Sequence, residues 1–171
     1  KKIRLTGGEP LVRKGVFQLI RNLGQKIGDG LDELTITTNG SQLKKTASEL
    51  YDCGVRRINV SLDHLNPGKF KEITRWGDLD QVLTGINEAK KVGLKVKINT
   101  VALKNFNENH LSDIINWCSD NNHDMTIIEV MPMGDIGSEN RYLQYLPLSE
   151  VRKNLEKSLT LVDIDKKTSG P

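Results

Sequence analysis

Short apolar runs alternate with longer helical patterns along most of the chain. Five runs have the composition of β-strands, and successive runs begin 23 to 38 residues apart, a spacing typical of β/α units. These runs are Lys2–Thr6, Leu34–Thr37, Arg57–Leu62, Lys95–Val101 and Thr126–Val130. Apolar residues recur at helical spacing around positions 16–23, 43–50, 82–89, 111–118 and 151–159. The alternation predicts an α/β fold of parallel strands joined by right-handed crossovers.

Each predicted strand divides into an apolar and a polar set of side chains, because successive residues point to opposite faces of a sheet. The apolar set, expected to pack under the helices, is Ile3, Leu5, Leu34, Ile36, Ile58, Val60, Leu62, Val96, Ile98, Ile128 and Val130. The polar set is Arg4, Thr6, Thr35, Thr37, Asn59, Ser61, Asp63, Lys97, Asn99 and Glu129, followed by Met131. Parallel sheets are normally apolar on both faces, so a polar face on five strands predicts a ligand-filled cavity. The alternative is an open sheet whose second face lies in solvent or under protein that is absent from this chain.

Composition narrows the functional classes. The 171 residues carry a net charge of only +3, and no basic run is interleaved with aromatic residues, which argues against a nucleic acid partner. No apolar run is long enough to span a membrane. Cys53 and Cys118 form neither a C-x-x-C pair nor a ligand cluster, so we expect small core residues and a reducing, cytoplasmic setting. Because the chain has no initiating Met and begins within a strand, we expect an internal piece of a longer protein, truncated at both ends.

Polar motifs stand at the predicted strand ends, where ligands bind in α/β folds. Gly7-Gly8-Glu9-Pro10 follows the first strand, Thr37-Thr38-Asn39-Gly40 the second and Ser61-Leu62-Asp63 the third. Lys97 and Asn99 lie on the fourth strand, and Glu129 to Gly134 end the fifth. Each motif alone is also compatible with a structural turn or a helix N-cap. Their occurrence at successive strand ends favours one shared site.

The segments KKIRLTGGEPL, TTNG, RRINVSLD, VKIN and IEVMPMG, in this order, resemble the radical S-adenosylmethionine (SAM) superfamily. More narrowly, they resemble the GTP 3′,8-cyclase (MoaA) family of molybdenum cofactor biosynthesis. The resemblance implies an incomplete (β/α) TIM-type barrel with outer helices, forming one partial domain over residues 1–171. Within it we expect core β/α units over 1–134, then a connecting segment, a helix and the start of a C-terminal part over 135–171.

The resemblance also implies residue roles and an activity. Thr6, Gly7, Gly8 and Glu9 would hold the SAM amino group, Ser61 would contact the polar end of SAM, and Met131 would pack near its adenine. Arg4 and Lys97 would face the triphosphate of GTP, Thr37 would lie between the two ligands, and Lys2 is a weaker phosphate candidate. The family rearranges GTP to (8S)-3′,8-cyclo-7,8-dihydroguanosine 5′-triphosphate, a lyase reaction.

Two departures from the family pattern limit the expectation. Some members carry an arginine on the fifth strand where this chain has Thr126, and the cysteine triads that hold the family's [4Fe–4S] clusters are absent. We therefore expect no catalytic residue, no metal ligand and no turnover from the chain alone; a homodimer of the parent protein is left open.

Three alternatives stay open. In the first, the protein is a peptide-modifying radical SAM enzyme; in the second, it is a non-catalytic nucleotide-binding barrel. As a third alternative, Arg4 and Lys97 form ion pairs with Glu129 or Asp63 instead of binding phosphate.

Overall fold

The chain forms an open, five-stranded, all-parallel sheet in a computed structural model that describes residues 1–130 and 143–164. The strands follow one another across the sheet in sequence order. They are β1 Lys2–Leu5, β2 Glu33–Thr38, β3 Arg57–Ser61, β4 Lys95–Val101 and β5 Asp124–Ile128. A sheet that grows in one direction by right-handed units is the arrangement from which a TIM-type barrel is built. The predicted incomplete barrel is confirmed as a partial TIM-type fold.

Helices connect the strands and cover one face of the sheet. They are α1 Val16–Gly24, α2 Leu43–Asp52, α3 Pro67–Thr74, α4 Leu79–Lys91, α5 Leu111–Asp120 and α6 Leu148–Leu155, with a 3₁₀ turn at Pro10–Val12. Ile36, Ile58 and Ile98 of the strands join Ile20 and Ile86 of the helices in one core, and each of these side chains has no exposed area. Burial of this apolar face supplies the main driving force for folding. No helix among the described residues is long and apolar enough to cross a bilayer.

Two glycines bring α4 close to the loop that follows β2. A Cβ atom on Gly85 would lie 2.8 Å from Leu43 Cβ and 3.0 Å from the carbonyl oxygen of Gly40. Gly40 has φ +82°, a conformation that favours glycine, and its missing side chain leaves room for Val82. This close packing fixes the loop that carries Thr37, Thr38 and Asn39 at the carboxyl end of β2.

The prediction for the fifth strand was wrong in its alternation. Asn99 pairs with Thr126 and Val101 with Ile128, so Thr126 and Ile128 share the polar face of the sheet. Ile127 instead packs with the helices, in a cluster that includes α6. Ile128 was expected there, but the adjacent apolar residues Ile127 and Ile128 fit either alternation, and only the register decides between them.

Glu129 also lies elsewhere than predicted. It follows β5 and holds the start of α6, because its carboxylate accepts hydrogen bonds from the Tyr145 hydroxyl at 2.8 Å and the Leu148 backbone N–H at 2.9 Å. The bond from the Leu148 N–H, and then that from Tyr145, lower the pKa of Glu129. A carboxylate at a helix N-terminus is favoured by the helix dipole. Glu129 is therefore a structural clamp rather than a member of the polar face.

Helix α3 has no counterpart among the predicted helices. Asn66 caps it by accepting the Lys69 N–H at 3.0 Å, Pro67 occupies its first turn, and Phe70 is its buried anchor. With one buried apolar side chain the helix has almost no periodic signal, although Asn followed by Pro is a start signal. Met131 and residues 135–142 and 165–171 of the predicted 135–171 segment lie outside the described residues, and the domain division stays a prediction.

Candidate functional site

The polar face is organised in lateral rows by the strand register. One row contains Arg4, Thr35, Arg57 and Lys95; the next contains Thr37, Asn59, Lys97 and Asp124; the third contains Ser61, Asn99 and Thr126. The structure thus brings Arg4, Thr37, Ser61 and Lys97 to one face, as the sequence predicted. Thr126 stands on this face as well, in the place where some family members carry an arginine.

The cations of this face fall into two groups. Glu33 neutralises the first group: its carboxylate lies 3.5 Å from Lys2 Nζ and 2.9 Å from Arg57 Nη2. Arg4, Lys95 and Lys97 form the second group, since the side chain of none of them makes an ion pair or a hydrogen bond with any described residue. Within residues 1–130 and 143–164, the predicted alternative that Asp63 or Glu129 pairs with Arg4 or Lys97 is not found. Three cations on one open face, without a carboxylate partner in the part described, are suited to an anionic ligand.

The loop after β1 borders a pocket of about 240 Å³ lined by Thr6, Gly7, Gly8, Glu9 and neighbouring residues. Gly7 has φ +142°, and a Cβ atom on Gly7 or Gly8 would have no neighbour within 4 Å. The backbone of both glycines is therefore open to a ligand. This open backbone beside a carboxylate fits the polar, amino-acid end of SAM, so the described residues of this loop are suitable for that cofactor.

Glu9 has a structural role that the sequence did not reveal. Its Oε1 accepts hydrogen bonds from the Leu11 N–H at 3.0 Å and the Thr38 hydroxyl at 2.8 Å, and its Oε2 accepts the Asn39 N–H at 2.6 Å. Thr38 is buried and its oxygen accepts the Gly40 N–H at 3.1 Å. The carboxylate therefore links the loops after β1 and β2 and fixes the Gly7-Gly8 backbone beside the polar face.

The loop after β3 is fixed by the loop after β4. Asp63 Oδ1 accepts the Val101 N–H at 2.7 Å, and Asn107 Nδ2 donates to the carbonyl oxygens of Asp63 and Val101, both at 2.9 Å. Burial raises the pKa of Asp63, against a smaller lowering by the Val101 N–H. Asp63 is thus committed to the scaffold, and it holds exposed Ser61 at the end of β3 beside Asn99.

Metal ligands were not predicted in this chain, and no group of three His, Cys, Asp or Glu side chains converges in the described residues. Cys53 and Cys118 are buried core residues, as expected. Burial raises the pKa of both thiols, to about 11 for Cys118. The described residues therefore do not offer an iron–sulfur cluster its thiolate ligands.

The family is established by comparison with known proteins. The model of the radical SAM superfamily matches residues 1–118, and the chain belongs to this superfamily. GTP 3′,8-cyclase of Rhizobium etli is 62% identical over 170 residues, covering 99% of this chain and 49% of the relative. GTP 3′,8-cyclase of Paracoccus denitrificans is 56% identical over 171 residues, covering 100% and 50%. The chain spans about half the length of these curated relatives.

Solved structures support the fold. Streptococcus suis SuiB bound to S-adenosylmethionine superposes with a TM-score of 0.70 at 22% identity, covering 91% of this chain and 35% of that chain. The anSMEcpe enzyme bound to AdoMet and the Cp18Cys peptide superposes with a TM-score of 0.68 at 18% identity, covering 91% and 46%. At these identities the likeness establishes the fold alone.

Proposed function

We propose that this chain is the SAM- and GTP-binding segment of a GTP 3′,8-cyclase, which acts in the first step of molybdenum cofactor biosynthesis. The observation that carries the proposal is that Arg4 and Lys97 have no ion-pair partner among the described residues. On the same face, Lys2 and Arg57 both pair with Glu33. Relatives named GTP 3′,8-cyclase at 56–62% identity support the assignment.

The triphosphate explains why these two cations differ from Lys2 and Arg57. A guanidinium presents a planar fork of N–H donors and an ammonium a compact charge, and both suit phosphate oxygens. Arg4 is on β1 and Lys97 on β4, so the cations approach the face from opposite sides of Thr37 and Asn59. A phosphate chain across this face would neutralise both charges. Lys2 is a weaker candidate because Glu33 lies 3.5 Å from its ammonium.

SAM would lie along the carboxyl ends of β1 to β3. Thr6, Gly7 and Gly8 would offer backbone and hydroxyl groups to its polar end, and Ser61 would contact that end from β3. A carboxylate has about four acceptor positions, of which the Leu11, Thr38 and Asn39 donors use three, so Glu9 retains one for the SAM amino group. Met131, proposed to pack near the adenine, lies outside the described residues.

Bound SAM would supply the radical chemistry that joins the GTP ribose to the guanine ring, with an electron from an iron–sulfur cluster that the described residues of this chain do not hold. The residues of this chain hold the two ligands side by side. Thr37 lies between the SAM side and the phosphate side of the face, and its hydroxyl is available to either ligand. Fixed positioning of two reactants removes much of the entropic cost of bringing them together.

A peptide-modifying radical SAM enzyme is the competing function. The SuiB and anSMEcpe structures include complexes with peptides, but their identity to this chain is 18–22% and carries only the fold. A peptide substrate gives no reason for Arg4 and Lys97 to share one open face without an ion-pair partner among the described residues. A non-catalytic nucleotide-binding barrel would also use these cations, but it would not need SAM.

Calorimetric binding of GTP and guanosine to the protein, as its gene encodes it, tests the proposal. We expect GTP to bind and guanosine to bind far more weakly. Arg4→Gln and Lys97→Gln should each lower GTP affinity by about tenfold or more, the loss of one charge-assisted hydrogen bond. Lys45→Gln is the matched control, because Lys45 is exposed on helix α2, which covers the other face of the sheet. Equal binding of GTP and guanosine, or a peptide that binds while GTP does not, would refute the proposal. GTP binding without SAM binding would favour the non-catalytic barrel.

A further inference from the structure

Asn59 occupies the centre of the polar face, although neither its motif nor its spacing assigned it a role. It lies on the middle strand, is 2% exposed, and stands between Thr37 and Lys97 in one lateral row. Its Nδ2 donates to Thr37 Oγ1 over a long 3.4 Å. Its Oδ1 is buried and accepts no hydrogen bond from any described residue. A buried acceptor without a donor costs folding free energy, so this amide calls for a partner.

Charge indicates which partner that is. The neighbour of Asn59 on β4 is Lys97, whose ammonium has no described partner and has donors but no acceptor. Exchanging the amide oxygen and nitrogen of Asn59 would place a buried N–H₂ group beside the Lys97 ammonium. The ammonium has no acceptor, so that N–H₂ group would have no hydrogen-bond partner there. The present orientation places an unused acceptor beside an unused donor, and is the one that Lys97 complements.

We propose that Asn59 is a positioning residue for Lys97 and Thr37, an inference that rests on the proposed polyphosphate site. When a polyphosphate occupies the face, the Lys97 ammonium donates one N–H to Asn59 Oδ1 and its others to the ligand. Thr37 Oγ1 accepts from Asn59 Nδ2, which leaves the Thr37 hydroxyl hydrogen free to donate to the ligand. One amide thereby aligns two donors on one anion.

The test uses the protein as its gene encodes it, with tripolyphosphate and GTP as probes and thermal unfolding as a second readout. Asn59→Leu keeps the number and branching of the side-chain heavy atoms and removes both the unpaired oxygen and the Nδ2 donor. We expect its Tm to be equal to or above that of the wild type, and its tripolyphosphate affinity to fall by about tenfold. In Asn59→Leu combined with Lys97→Gln, the loss of affinity should be clearly smaller than the sum of the two single losses, because much of the effect of the amide acts through the ammonium.

Two further variants separate positioning from a general structural effect. Asn59→Asp keeps an acceptor but adds a charge beside Lys97, so its affinity for tripolyphosphate should fall at neutral pH and recover as the new carboxyl becomes protonated. Thr100→Val removes a buried hydroxyl on the helix side, where Thr100 donates to the Leu62 carbonyl at 2.7 Å, and should lower Tm without changing affinity.

The outcomes distinguish the inference from the proposed function. If the wild type binds neither probe, the proposed polyphosphate site is wrong. If Lys97→Gln weakens binding while Asn59→Leu does not, or if the two effects add, only the role of Asn59 is wrong. If Asn59→Leu fails to fold, the pH profile of Asn59→Asp decides: recovery of affinity at low pH supports the inference, and a flat profile refutes it.

Discussion

Replacing Glu9 with glutamine should detach the loop after β1 from the loop after β2. The carboxylate accepts three hydrogen bonds, from Leu11, Thr38 and Asn39, at distances of 2.6 to 3.0 Å. Glutamine keeps one oxygen, which can still serve two of these donors. Its N–H₂ group then faces the third donor, and no bond forms there. The substitution removes one short bond to a charged acceptor and weakens the other two.

The expected cost follows from this count. A hydrogen bond to a charged group contributes about 1.5–3 kcal/mol, and Asn39 is exposed, so water replaces part of the loss. We therefore expect Glu9→Gln to lower the free energy of unfolding by about 2 kcal/mol, a fall in Tm of roughly 4–8 °C for a domain of this size. The backbone N–H groups of Leu11 and Asn39 should exchange their hydrogens with solvent faster, because the hydrogen bond that each donates to residue 9 is lost or weakened.

Thermal unfolding and hydrogen exchange, both on the protein as encoded, measure these effects. Glu72→Gln is the matched control: it makes the same chemical change in an exposed ion pair, 2.9 Å from Lys69 Nζ, where the cost should be below about 1 kcal/mol. Equal Tm shifts in the two variants, with unchanged exchange at Leu11 and Asn39, would show that the carboxylate does not hold the loops together. SAM binding should also weaken in Glu9→Gln, and this second readout reports on the proposed role.

Three other outcomes follow from the packing and the buried groups. Gly85→Ala should lower Tm despite a helix-propensity gain of about 1 kcal/mol, because its Cβ would lie 2.8 Å from Leu43 Cβ; exposed Asn87→Ala on the same helix should not lower it. Burial raises the pKa of Asp63 above its ordinary 3.8, so stability should fall as pH rises from that value through the raised pKa. Urea unfolding across pH should lose this slope in Asp63→Asn. Cys118, with its pKa raised to about 11, should resist thiol reagents at pH 8 until urea unfolds the protein, and rapid labelling of the native protein would contradict its burial.

Alternation of polar and apolar residues predicted the fold well where the two sets were chemically distinct. On β1 to β4 the helix-covered positions are apolar except Thr38 and Thr100, so the helix-covered face and the polar face followed from the alternation, and the parallel register confirmed them. On β5 the adjacent Ile127 and Ile128 removed the contrast, and the alternation was assigned to the wrong face. Helix α3 was missed for a related reason: one buried residue, Phe70, cannot establish a period.

The sequence predicted which residues of the candidate site lie together, but not which interactions they make. Motifs at strand ends brought Arg4, Ser61 and Lys97 to one face because carboxyl ends of parallel strands share an edge. The sequence could not show that the carboxylates of Glu9 and Asp63 hydrogen-bond to neighbouring loops. The Asn39 and Val101 N–H groups that donate to them are backbone groups at the ends of other strands. Nor could it show which cations on the face are neutralised, because that depends on the side-chain reach of Glu33.

The two faces of the sheet make opposite contributions to folding, and this difference carries the functional argument. The helix-covered face is closely packed and stabilises the fold, whereas the other face holds three cations without described partners and an amide oxygen without a donor. Such groups oppose folding until a ligand supplies their counter-charges and donors. Substitutions that make this face apolar should therefore preserve or raise stability while they weaken ligand binding. A face that served only to hold the chain together would respond in the opposite way, since every loss of a polar group there would lower Tm and leave binding unchanged.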